Sequence, residues 1–129
     1  MSNNTFKPLK LVLVEDSEDL SDLLREFFSL DGHEVKCYLT GHGALQNEPV
    51  IKEADLLITD YYLPDMNGMD VIRAVRAIHP TLPVILLSGG REPSVLESLR
   101  TLPQASFLSK PVDIDDLEAR VNELVGVRK

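Results

Sequence analysis

Five short apolar runs set the limits on what this chain can fold into, because the clearest of them are apolar on consecutive positions. Leu11-Val12-Leu13-Val14 and Val84-Ile85-Leu86-Leu87 lack the in-out alternation of a strand with one wet face, so both of their faces must be covered. Val35 to Leu39, Leu56 to Thr59 and Ser106 to Leu108 add three more strand-like runs. Helical spacing fills the intervals. Leu20, Leu23, Leu24, Phe27 and Phe28 share one face before Gly32, Val71, Ile72, Val75 and Ile78 share another before Pro80, and Ile114, Leu117, Val121 and Leu124 form a third. Pro49 interrupts the stretch from Ala44 to Glu53, and Pro93 opens the one holding Val95, Leu96 and Leu99, which predicts a short second helix and a modest fourth. Alternating buried strands and amphipathic helices specify a parallel sheet covered on both faces: an α/β three-layer sandwich of five strands and five helices.

A chain of 129 residues with 43% hydrophobic composition suits one domain over 1–129, with its core from about residue 9 to 125. It contains no internal repeat, low-complexity tract or linker. A formal charge of −8 argues against direct nucleic-acid binding. The apolar runs are too short to span a bilayer, and Met1-Ser2-Asn3-Asn4 lacks a signal-peptide core, so the expectation is a cytoplasmic protein without a membrane partner. Cys37, the only cysteine, sits in a strand-like run and reads as packing. His33, His42 and His79 lie beside Gly32, between Gly41 and Gly43, and before Pro80, places where turns and surface are expected, and they read as bystanders.

Ligands of an open parallel sheet bind beyond the carboxyl ends of its strands. The residues that follow the apolar runs here are Glu15-Asp16, Asp60, Ser88 and Lys110-Pro111. Singly, each is ordinary: a Glu-Asp pair after a strand is most often a solvated turn or a helix cap. Together they make a chemistry. Clustered carboxylates resist joint ionisation unless a cation sits among them, and an all-oxygen set suits Mg²⁺. With Mg²⁺ on one side and Lys110 on the other, the charge of a transferring phosphoryl group is neutralised from two directions. Asp60 is then the nucleophile of acyl-phosphate formation, and the Ser88 hydroxyl a donor to the incoming group.

From about Leu9 to Val125 the chain resembles the receiver domains of bacterial two-component response regulators, the chemotaxis regulator among them. The likeness lies in Val12-Leu13-Val14-Glu15-Asp16, in Thr59-Asp60-Tyr61-Tyr62-Leu63-Pro64-Asp65-Met66-Asn67-Gly68, and in Phe107-Leu108-Ser109-Lys110-Pro111. It implies a flavodoxin-like strand order of 2-1-3-4-5. Asp60 becomes the phosphoacceptor, and Glu15, Asp16, Asp60 and the Tyr62 carbonyl the magnesium ligands. Lys110 becomes the phosphate partner, Ser88 the switch hydroxyl, Phe107 the switch aromatic, and Pro111 a cis proline. The implied donor is a histidine kinase or phosphotransfer protein. The implied recipient is a downstream protein or an output domain, and the family also admits a phosphorylation-dependent homodimer. Partners would meet the face made by the fourth helix, fifth strand and fifth helix, where Arg100 and Arg120 are candidate contacts. The implied protein is a switch that phosphorylates itself from a donor and slowly dephosphorylates itself, with no enzymatic turnover. Three departures from the family pattern stand out: Ser88-Gly89-Gly90, which implies a mobile switch loop, the prolines Pro49 and Pro93, and Tyr62, whose ring would shade the site from water.

Rival functions meet specific obstacles. A phosphorylation-independent pseudo-receiver that docks constitutively would not need Asp60 and Lys110. A flavin carrier of similar topology would place Glu15-Asp16-Ser17-Glu18 against the cofactor's phosphate. An aspartyl phosphatase would need a second acid two residues after the first, where this chain has Tyr62.

Overall fold

Neighbouring residues on a strand point to opposite faces of a sheet, and this rule sorts the apolar runs into two cores. The computed structural model describes residues 8–90 and 93–126; Met1-Ser2-Asn3-Asn4 and the C-terminal Lys129 lie outside them. Strands β1 (Lys10–Val14), β2 (Glu34–Tyr38), β3 (Leu56–Asp60), β4 (Val84–Ser88) and β5 (Ala105–Ser109) form one parallel sheet of order β2-β1-β3-β4-β5. Leu11, Leu13, Leu56, Ile58, Ile85 and Leu87 face one layer, where they pack with Leu24 and Phe28 of α1 (Glu18–Leu30) and Leu117 and Val121 of the C-terminal helix (Ile114–Leu124). Val12, Val14, Leu57, Val84 and Leu86 face the other, against the helices that lie between β2 and β5 in sequence.

Those intervening helices are α2 (Gly41–Leu45), α3 (Glu48–Glu53), α4 (Gly68–Ile78) and α5 (Pro93–Arg100), which makes the C-terminal helix α6 and the total six among the described residues rather than the expected five. The extra one comes from the second helical stretch. Proline has no backbone N–H and fits only a helix's first turn, so Pro49 starts a new helix after Asn47 instead of continuing the old one. Side chains close the amino ends of α1, α2, α4 and α6: Ser17 accepts from Leu20 N at 3.3 Å, Thr40 from Gly43 N at 2.9 Å, Asn67 from Asp70 N at 2.9 Å and Asp113 from Asp115 N at 2.9 Å. β2 is an edge strand and keeps partly exposed positions, so Cys37 packs only in part against the α1 side.

His33 and His79 differ from their surface reading, His79 being half-buried with its Nε2 3.2 Å from the Ala54 carbonyl oxygen, whereas His42 keeps it. His33 is buried, and its Nδ1 accepts the Leu9 N–H at 2.9 Å. His42 stays exposed but its Nδ1 lies 2.7 Å from Asp65 Oδ2.

Candidate functional site

Parallel register brings the strand ends to one edge of the sheet. Val14 pairs with Thr59 and Asp60 with Leu87, so Glu15, Asp60 and Ser88 come level as their strands finish. Lys110 is tied to the same line by its N–H, which donates to the Ser88 carbonyl at 2.9 Å. The Lys110–Pro111 peptide bond is cis.

From Lys110 the Nζ reaches Asp60 Oδ2 at 2.9 Å and Glu15 Oε1 at 3.1 Å. Glu15 and Asp60 are buried, at 0% and 4% exposure, whereas Asp16 is open to solvent. Oxygens of Glu15, Asp16 and Asp60 lie within 4.8 Å of one another, a spacing that could hold one metal ion. Glu15 Oε2 accepts the Ser17 N–H at 3.0 Å, but Oε1 has no hydrogen-bond partner among the described residues and rests on its ion pair with Lys110 alone. A buried oxygen with spare lone pairs inside an all-carboxylate cluster fits a hard divalent cation such as Mg²⁺.

The charges of the cluster compete. Burial is the largest influence on Glu15 and, together with nearby Asp60, raises its pKa above the ordinary value despite the Ser17 N–H and Lys110. Burial pushes Lys110 the other way, yet its hydrogen bond to Asp60 and its charge pairing with Asp60 and Glu15 prevail and hold its pKa above the usual lysine value. The ammonium is therefore a fixed charge at neutral pH among three carboxyl groups.

The loop from Tyr61 to Asn67 leaves β3 at this edge. Tyr61 N donates to the Leu87 carbonyl at 2.8 Å, and Gly68 N donates to the Tyr61 carbonyl at 2.7 Å, while Tyr62 and Asn67 form an isolated bridge. Gly68 must be glycine, since a Cβ there would stand 2.5 Å from the Asp60 carbonyl oxygen. The Tyr62 ring is 53% exposed and packs edge-on against Tyr61 with 4.8 Å between centroids.

Known proteins resemble the chain in sequence and in fold. The response regulator receiver domain profile matches residues 11–122. The chain belongs to that family. It is 34% identical over 116 residues to the regulatory protein LuxO of Vibrio vulnificus, covering 88% of this chain and 25% of LuxO. It is likewise 34% identical over 118 residues to the response regulator PmrA of Pseudomonas aeruginosa, covering 90% of this chain and 52% of PmrA. The chain thus spans a quarter to about half the length of these relatives. Among solved structures, the non-phosphorylated HemR receiver domain of Leptospira biflexa superposes with a TM-score of 0.84 at 27% identity, covering 95% of this chain and 98% of that one. A response regulator receiver domain protein of Clostridium thermocellum gives 0.80 at 25% identity, over 92% and 94% of the two chains. Among the described residues no helix is long and apolar enough to cross a membrane.

The receiver's remaining predicted residues divide by position. Ser88 is buried at the end of β4, and its Oγ accepts the Gly90 N–H at 3.1 Å. Phe107 stands apart from the acidic cluster: on β5 it pairs with Leu86 and packs, half-buried, on the α2–α5 side. There it lines an open groove of about 320 Å³ with Leu96, Leu99, Arg100, Ser106 and Arg120, between α5, β5 and α6. Arg120 Nη1 donates to Ser106 Oγ, while Arg100 reaches Glu97 at 3.8 Å. Asp65 went unsingled in the sequence because Pro64-Asp65-Met66-Asn67-Gly68 has the composition of any turn. In the structure its two oxygens accept Gly41 N at 3.0 Å and His42 N at 2.8 Å. These backbone donors, the one from His42 foremost, and the His42 ring lower its pKa to about 2.

Proposed function

We propose that this receiver is a phosphorylation-driven switch in which Asp60 accepts a phosphoryl group from a histidine kinase or phosphotransfer protein, with Mg²⁺ required. One observation carries the reading: a single buried-edge ammonium, Lys110, pairs with both Asp60 and Glu15 beside a third carboxylate, Asp16. Glu15, Asp16, Asp60 and the Tyr62 carbonyl would hold the magnesium. When bound, Mg²⁺ supplies positive charge to the phosphoryl oxygens as they approach Asp60.

An Asp60 carboxylate oxygen attacks phosphorus, the P–O bond forms as the donor's P–N bond breaks, and the electron pair leaves on the donor imidazole. Lys110 already faces the attacking carboxylate, so its charge needs little movement to follow the negative charge onto the phosphoryl oxygens. Accepting the Gly90 N–H uses a lone pair of Ser88 Oγ and not its proton, which is then the donor to a phosphoryl oxygen. Drawing Ser88 towards the group opens space for Phe107 to turn inward and reshapes the α5–β5–α6 face, the fourth-helix, fifth-strand and fifth-helix face of the sequence reading. Arg100 and Arg120 there meet a downstream protein, an output domain or a second copy. The chain works in the cytoplasm without touching nucleic acid itself, and slow self-dephosphorylation resets it.

Labelling with a small acyl-phosphate donor tests this directly. Asp60→Asn removes the nucleophile with almost no change in volume, so labelling is lost while unfolding stays cooperative. Labelling that persists in the variant would place the phosphoacceptor elsewhere.

A further inference from the structure

The proposed Tyr62 ligand is a backbone carbonyl, so its position is set by whatever holds the loop from 61 to 67. A bridge from Tyr62 to Asn67 and a hydrogen bond from Gly68 N to the Tyr61 carbonyl close the loop on itself. Tyr61 N–H ties the start of the loop to the Leu87 carbonyl at 2.8 Å, and the restraint on its far half comes from Asp65, whose carboxylate spans the Gly41 and His42 backbone N–H groups at 3.0 and 2.8 Å, with the His42 ring at 2.7 Å. Next to it, Met66 lies so close to Gly41 that a Cβ there would stand 2.5 Å from the Met66 sulphur.

The strand order gives this contact its importance. β1 lies between β2 and β3, so Asp65 joins the segment after β2 to the segment after β3, on either side of the strand that leads into Glu15-Asp16. The two N–H groups it accepts are the first of α2, which the helix itself cannot satisfy. Thr40 serves the next, with its Oγ1 2.9 Å from Gly43 N. Without Asp65, two donors lose their partner and the loop loses its only charge-assisted anchor on α2 among the described residues.

We infer that Asp65 is a positioning residue of the phosphoacceptor site: its carboxylate pins the 61–67 loop to the start of α2, so that the Tyr62 carbonyl is held ready for the metal. The inference rests on the magnesium reading of the site. Asp65 touches neither metal nor phosphoryl group and acts only through the loop.

The test is a titration of the whole chain with Mg²⁺ alone, followed by amide NMR, with acyl-phosphate labelling rates measured at low and at saturating Mg²⁺. Asp65→Ala weakens Mg²⁺ binding about tenfold, the lower end of what losing an outer partner costs a metal site. Its labelling rate falls in proportion at low Mg²⁺ and returns to within about twofold of the wild type at saturation, a recovery that a damaged fold would not show. His42→Ala keeps both backbone donors and stays within about twofold throughout. If Asp65→Ala does not fold, Asp65→Asn, which keeps one acceptor oxygen, carries the same test with a smaller loss. Mg²⁺ affinity equal to wild type in a folded Asp65 variant overturns the inference, as does a labelling defect that saturating Mg²⁺ leaves in place. An equal loss in His42→Ala overturns the backbone clamp. A wild-type protein without saturable Mg²⁺ binding overturns the magnesium reading itself, and the inference with it.

Discussion

The carboxyl edge of the sheet and the α5–β5–α6 face differ in how firmly they hold their polar groups. At the edge, Glu15, Asp60 and Ser88 are all but inaccessible, and Lys110 lies within 3.1 Å of two carboxylates. At the face, Ser106 and Phe107 are half-exposed beside a groove of about 320 Å³, and Arg100 and Arg120 sit on the surrounding helices. A tightly held cluster suits chemistry, because groups fixed in place need no rearrangement when charge moves. A loosely filled groove suits output, because a ring with empty space beside it turns at small cost. The distance between them along the chain is short: Phe107 is three residues from Lys110 on the way out of β5.

If that contrast is right, substitutions at the two ends differ in size and in kind. The largest effect belongs to Lys110→Ala, which leaves Glu15 and Asp60 buried and facing each other. Without Mg²⁺, denaturant unfolding should show a loss of about 2 kcal/mol, below the usual cost of breaking a buried pair because Lys110 keeps some solvent contact, and phosphoryl labelling should collapse. Arg120→Ala at the other end should cost about 1 kcal/mol, the worth of its bond to Ser106, and leave labelling intact. Equal losses from the two would break the contrast.

The smallest effect is one of pH. Because the folded protein raises the Glu15 pKa, this group's contribution is fully present below the ordinary value of 4.5 and is lost as pH rises through its higher folded value. Glu15→Gln should therefore gain in stability relative to wild type from pH 4.5 upward in metal-free buffer, while losing Mg²⁺ affinity. Asp65 runs oppositely: its contribution is present above 3.8 and lost as pH falls through about 2. Urea titrations across pH separate the two, and a Glu15→Gln profile parallel to wild type would remove burial strain from the account of the edge.

Much of this was legible in the sequence. Consecutive apolar residues in β1, β3 and β4 mark central strands buried on both sides, and a parallel sheet of such strands puts Glu15, Asp60 and Ser88 at one edge. The half-polar β2, Glu34-Val35-Lys36-Cys37-Tyr38, was readable as a strand because an edge strand needs less cover. What escaped was set by tertiary partners. A proline in a stretch of modest periodicity does not say whether a helix kinks or restarts, so α2 and α3 read as one. His33 looked like a turn residue beside Gly32, and only the Leu9 N–H opposite explains its burial. Asp65 had the composition of any turn, and its partners Gly41 and His42 lie more than twenty residues away.

The central claim is that the edge and the face are one device, and the Phe107 ring reports on it most directly. Saturating the protein with beryllofluoride and Mg²⁺ places a phosphoryl mimic on Asp60, and ring resonances of Phe107 can be followed by NMR. A hydroxyl bond from Ser88 and partial burial of the ring amount to about 2 to 3 kcal/mol, enough to invert a two-state population without refolding the domain. Large shifts are expected at Phe107, Ser106 and Arg120 together with those at Glu15, Asp16 and Asp60. Shifts confined to the residues around the metal, with Phe107 unmoved, would contradict it.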